Sequence, residues 1–218
     1  MSTRLLCGIL LALLGGTPGC STNPNLRARR LPDGRIEVEG PMAGPYKTKE
    51  ALAMNACQLM TSQGGAAGGS EGSEYCALHY FSPNENAYYL SYLSDIKDRP
   101  SSKDVKTCVI PLALNDPHHL DAIIIGIDHT HPHHRQFSAK DLKVHWIPAR
   151  VVDKTDGKVF HRELWLFFRE KSGDCRIYSL DLATRTVFSL RDGKWDSIGQ
   201  AQESTGDIQM FQGKDWLP

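Results

Sequence analysis

Residues 121–141 read Asp-Ala-Ile-Ile-Ile-Gly-Ile-Asp-His-Thr-His-Pro-His-His-Arg-Gln-Phe-Ser-Ala-Lys-Asp. The β-branched run from Ile123 to Ile127 predicts a buried strand. Alternate residues of a strand share a face, so His129 and His131 point one way and Thr130 the other. Pro132 cannot donate to a ladder and ends the strand. Ser138 and Asp141 have the spacing of an N-cap and its third residue, which predicts a helix start. A strand–loop–helix turn of this length brings the Asp141 carboxylate back over the two imidazoles. Two histidines and a carboxylate, with a fourth position open, form the donor set of a catalytic zinc site.

The pattern His-x-His-Pro, a short loop, then Ser-x-x-Asp is carried here by His129, His131, Pro132, Ser138 and Asp141. It resembles the motif of the JAMM (MPN-plus) zinc metalloproteases, with a loop before Ser138 one residue shorter than in many members. The resemblance implies an α+β fold: a single JAMM/MPN-like (cytidine-deaminase-like) domain, with a mixed sheet and flanking helices. It implies one Zn2+ per chain on His129, His131 and Asp141, with Ser138 assisting at the reacting centre. It also implies a glutamate at the start of an earlier strand. Glu74, which opens the aromatic-rich run Glu74–Phe81, is the candidate; Glu85 in a turn and Glu71 in a glycine-rich stretch suit the role less well. The implied reaction is hydrolysis of a peptide or isopeptide bond.

Lys plus Arg and Asp plus Glu balance at 25 each over 218 residues. No basic cluster is present, which argues against a nucleic-acid partner. Arg4, the apolar run Leu5–Leu14 and the small residues before Gly19-Cys20 read as a signal peptide over 1–19. Gly19-Cys20-Ser21 resembles a bacterial lipoprotein cleavage site, with Cys20 as the lipidated residue; ordinary cleavage nearby is the alternative. The expectation is an exported, envelope-located chain held to a membrane through one modified terminus. Cys57, Cys76, Cys108 and Cys175 then remain, an even number that fits two disulfides with three possible pairings. Four buried free thiols are the other possibility.

Around this motif the chain divides into a tether and linker (20–45), a domain (46–195) and a polar tail (196–218). Thr48 is positioned to cap a helix to about Met60, with Leu52, Ala53, Ala56, Leu59 and Met60 at helical spacing. The glycine-rich residues 63–72 are flexible by composition, and they lack the Lys-Ser/Thr ending of a phosphate loop. Residues 74–81 and 87–93 flank a Pro/Asn turn and predict a hairpin. Strands are expected over 105–114, around 145–152, and in a C-terminal β-meander over 159–168, 175–180 and 186–190. His118 and His119 read as exposed turn residues, and His145 and His161 as structural. Asp128 faces away from His129, whereas His133, His134 and Arg135 border the cleft.

Two other classes compete with the hydrolase. A non-catalytic envelope lipoprotein would keep the JAMM-like fold as a binding module. A histidine-rich metal-capture protein would add His118, His119, His133 and His134 as ligands and would be indifferent to Glu74.

Overall fold

The computed structural model describes residues 23–98 and 107–216. The expected signal peptide and the Cys20 lipidation site lie outside the described residues. The strands are β1 (Ala28–Arg30), β2 (Ile36–Glu39), β3 (Ala43–Tyr46), β4 (Cys76–Ser82), β5 (Ala87–Leu90), β6 (Pro111–Asn115) and β7 (Ile123–Thr130). They continue as β8 (Arg150–Val152), β9 (Val159–His161), β10 (Glu163–Arg169), β11 (Cys175–Asp181), β12 (Thr186–Arg191), β13 (Lys194–Gln202) and β14 (Asp207–Met210). One α-helix, α1 (Lys49–Thr61), is present among the described residues.

Nine strands form one sheet in the order β14-β13-β12-β11-β10-β7-β4-β5-β3. Its one parallel pair is β7 with β10, where His129 lies opposite Leu166. A parallel pair needs a crossover. Here the crossover, residues 131–162, contains the motif loop, a 3-10 turn over Asp141–Lys143 and the β8–β9 hairpin. The large sheet is apolar on both faces, which explains the unbroken run Leu164-Trp165-Leu166-Phe167 in β10. Trp165 and Phe167 pack with Leu52, Ala53, Ala56 and Met60 of α1 on one face. Leu164 and Leu166 pack with Leu78, Ile127, Phe137 and Leu142 on the other, which also holds Val38 of β2.

Helix α1 follows its sequence signals. The Thr48 hydroxyl accepts from the Ala51 N–H at 3.1 Å, satisfying one of the free N–H groups of the first turn. The four candidate cysteines pair as Cys57–Cys175 and Cys76–Cys108. The first ties α1 to β11, and the second ties β4 to the segment before β6.

The fold class departs from the expected α+β domain with flanking helices. The described residues are mostly β, with 41 % strand, 10 % helix and large mixed sheets. One physical reason lies at Ser138. The expected helix closes after a single 3-10 turn, because Val144 is extended and Pro148 disfavours helical backbone in the residue before it. A second reason lies at the C-terminus. Residues 196–218, read from polarity as a loose tail, instead continue the sheet through β13 and β14, with Gln200 opposite Gln209. Ile198 and Ala201 are buried there while Gln200 and Gln202 are only partly covered. Residues 20–45, read as a tether and linker with an exposed strand over Arg35–Glu39, supply β1 to β3 from Ala28 onward; the strand is there as β2, but Ile36 and Val38 are fully buried.

Candidate metal centre

The C-terminal end of β7 carries the histidines. Tyr75 and Thr130 lock the start of β4 to this end: Thr130 N–H donates to the Tyr75 carbonyl at 3.0 Å, and Tyr75 N–H donates to the Thr130 hydroxyl at 3.0 Å. His131 N–H then bonds the Phe167 carbonyl at 3.0 Å, which extends the β7 register past its last residue. The glycine-rich stretch folds over the motif. Gly69 N–H donates to the Pro132 carbonyl at 3.0 Å, and a Cβ on Gly72 would collide with the Pro132 ring. Glycine is therefore required at position 72 by close approach, and this approach sets Glu74 beside the histidines.

His129 and His131 are 5 % and 3 % exposed. Asp141 Oδ1 lies 3.6 Å from His129 Nε2, and Asp141 Oδ2 lies 3.4 Å from His131 Nε2. The candidate ligand atoms of the three residues all fall within 4.8 Å of one another. Ligand atoms about 2.0–2.1 Å from one tetrahedral zinc lie roughly 3.3 Å apart, so the two histidine–carboxylate distances are those of a zinc site. His129 Nε2 is buried without a hydrogen-bond partner, which is costly for a polar atom unless a ligand satisfies it. The residues present therefore fit a zinc ion.

Electrostatics follow burial. Desolvation pushes His131 down to about 4, so its ring is neutral at physiological pH, as a metal ligand must be. Burial also opposes charge on His129, but the Asp141 carboxylate overrides it and raises the imidazole. Burial would raise Asp141; the charge that His129 can carry outweighs this and holds the carboxyl well below its ordinary range.

Glu74 is 8 % exposed, with Oε1 3.9 Å from His131 Nε2. Burial pushes its carboxyl from 4.5 up to about 7, against the lowering influence of His129. The Cys108 backbone lies close enough to favour the ionised carboxylate slightly, and Cys108 is itself tied to Cys76, two residues beyond Glu74. A carboxyl tuned to neutrality beside a metal-ligand set is suited to proton transfer.

Ser138 caps the turn that carries Asp141, as its spacing predicts. Its N–H and its hydroxyl both donate to Asp141 Oδ2, each at 2.7 Å. The hydroxyl thus donates to the carboxylate ligand. His134, expected at the border of the cleft, reaches the ligand set itself. His134 Nδ1 lies 3.2 Å from His131 Nδ1, the ring nitrogen that faces away from Asp141, and 3.0 Å from the Gln136 carbonyl oxygen, to which it donates. The Cys108 backbone beside Glu74 had no sequence signal at all, since the cysteine pairing was open.

The other histidines lie apart from this cluster. His119, expected at the surface, is buried with Nδ1 2.7 Å from Asp116, while His118 and His133 are exposed. Asp128 points to the opposite face and pairs with His79 Nδ1 at 2.7 Å, both side chains fully buried. Among the described residues, His129, His131 and Asp141 are the one His/Cys/Asp/Glu group with converging ligand atoms. This argues against a capture protein with several metals.

The cluster opens onto a cleft of about 840 Å³ that His129 and Asp141 help to line. No protein-family model, curated protein or solved structure matches the chain. Function is therefore argued from the site.

Proposed function

We propose that the chain is a zinc-dependent hydrolase of a peptide or isopeptide bond, with a JAMM-type site carried on a sheet-dominated fold. The observation that carries this reading is the convergence of His129, His131 and Asp141 with a buried Glu74 at the end of an open cleft. His129, His131 and Asp141 would hold the metal, which supplies Lewis acidity toward an oxygen ligand. Glu74 takes the proton of the attacking water and returns it to the leaving amine. Such general base and acid work contributes about 10²–10⁴-fold. Ser138 orients Asp141.

The same proposal places the chain outside the cytosol, anchored to a membrane through a lipidated Cys20. Two disulfides support an oxidising compartment. Among the described residues no helix is long and apolar enough to cross a membrane. The partner is a peptide or protein substrate; the charge balance of 25 to 25 argues against nucleic acid.

The test is the zinc content of purified residues 21–218 beside that of His131→Ala, followed by a peptidase screen with Glu74→Gln as control. One zinc per chain, lost in His131→Ala, together with cleavage lost in Glu74→Gln, is the expected result. Folded protein that takes up no zinc would overturn the hydrolase and leave a non-catalytic binding module.

A further inference from the structure

The cleft beside the metal ligands has a composition the proposed chemistry does not use. Its walls carry Ile110, Leu112, Val144 and Trp146, and its floor Ile127 and Leu164. Leu112 is 44 % exposed, an apolar surface left to water on a cleft wall. A volume of about 840 Å³ lies in the usual range for ligand sites, roughly 300–1,000 Å³. The charged side chains are unequal. Asp141 is committed to the histidines. Asp98 is neutralised by Arg30 at 2.8 Å. Lys140 lines the cleft, is exposed and makes no ion pair or hydrogen bond among the described residues. Its ammonium lies close enough to act on the Glu74 carboxyl. The cleft therefore offers an apolar wall and, next to the reacting centre, a lysine with no ion-pair or hydrogen-bond partner among the described residues.

We infer that the cleft takes an extended peptide with an apolar side chain beside an acidic one: the apolar group packs on Trp146, Val144 and Ile110, and the carboxylate meets Lys140. This rests on the hydrolase reading for the presence of a scissile bond but not for recognition, which uses side chains the metal does not touch. A bulky apolar side chain gains by leaving water. An acidic neighbour gains by pairing with Lys140, whereas a basic one meets an unpaired like charge.

The test is binding of blocked peptides, acetyl-Gly-X-Z-Gly-amide, with X Phe or Ser and Z Glu or Lys. They are titrated into metal-stripped wild type and into zinc-loaded Glu74→Gln by calorimetry, with tryptophan emission as a second readout. The Phe-Glu peptide is expected to bind about tenfold tighter than Ser-Glu, and about fivefold tighter than Phe-Lys. Trp146→Ala should erase the preference at X and leave that at Z. Lys140→Glu should invert the preference at Z and leave that at X. Far-ultraviolet circular dichroism checks that both variants are folded. No binding, no preference at X, or a Z preference unmoved by Lys140→Glu would overturn the inference. If the preferences hold in protein that takes up no zinc, the recognition stands and the hydrolase falls. If zinc binds and peptides are cleaved without preference, the hydrolase stands and the recognition falls.

Discussion

Ser138 and Asp141 hold one another. The serine donates two hydrogen bonds of 2.7 Å to Asp141 Oδ2, and the Asp141 N–H reaches back to the Ser138 hydroxyl at 3.2 Å. This is a reciprocal cap on a single turn, and it aims Oδ1 at His129 and Oδ2 at His131. Partners that orient a ligand typically govern metal affinity by about 10–100-fold. Ser138→Ala should therefore weaken zinc binding by about that factor, read by titration against a competing chelator. The lost cap should cost only about 1 kcal/mol of stability. If zinc affinity is unchanged while cleavage collapses, the serine acts on the substrate instead.

The two disulfides should separate stability from the site. Cys57–Cys175 closes a loop with a sequence separation of 118, and Cys76–Cys108 one of 32. In the chain-entropy account these restrain the unfolded state by about 5 and about 4 kcal/mol. Cys57→Ser/Cys175→Ser should therefore lower the denaturation midpoint and leave zinc affinity unchanged. Cys76→Ser/Cys108→Ser should lower stability by a similar amount and also let the Cys108 backbone move away from Glu74. Its cleavage rate should fall while its zinc content stays at one per chain. Equal loss of activity in both variants, corrected for folded fraction, would count against that contact.

Local features of this fold were legible where one residue type has one physical reason. Thr48 predicted the cap of α1, the Pro/Asn turn predicted the β4–β5 hairpin, and the isoleucine run predicted β7. The grouping of His129, His131 and Asp141 followed from strand alternation and a short return loop. Less legible were features set by tertiary pairing. Polar edge strands such as β14 are specified by the neighbour they bond to, not by their own hydropathy. Ser138 looked like the start of a helix because a capping box is identical at the head of one turn or of four. Cysteine spacing left three pairings open, so the Cys108 backbone beside Glu74 was invisible.

Gly126 marks a position where two elements meet without room to spare. A Cβ there would overlap the His79 ring and lie 2.5 Å from the Glu163 carbonyl oxygen. His79 stacks on Trp165 with ring centroids 3.8 Å apart, so it cannot move aside. Gly126→Ala should destabilise the chain by about 3 kcal/mol or more, at or above the usual range for overpacking. His79→Ala should fail to rescue it, because the backbone clash with Glu163 remains. Urea unfolding of the two single variants and the double variant decides this; a double variant as stable as His79→Ala alone would refute it.

Glu74 should reveal its setting through stability before any substrate is known. In the metal-free protein burial raises its carboxyl from 4.5 to about 7, so folding disfavours the charged form. A raised acid contributes stability that is complete below its unfolded value and is lost as pH climbs through the folded one. The window is therefore about pH 4.5 to 7, and the loss at pH 8 amounts to at most about 3 kcal/mol. Glu74→Gln keeps the shape and removes the charge. In chelator, the variant should be only slightly more stable than wild type at pH 5 and clearly more stable at pH 8. Zinc should reverse the difference, because a nearby cation favours the ionised carboxylate. With zinc bound, the variant should lose about 10²–10⁴-fold in kcat/KM. A stability difference of the same size at pH 5 and pH 8 would show that Glu74 is not desolvated in the folded chain. The proton transfer assigned to it would then lose its physical basis.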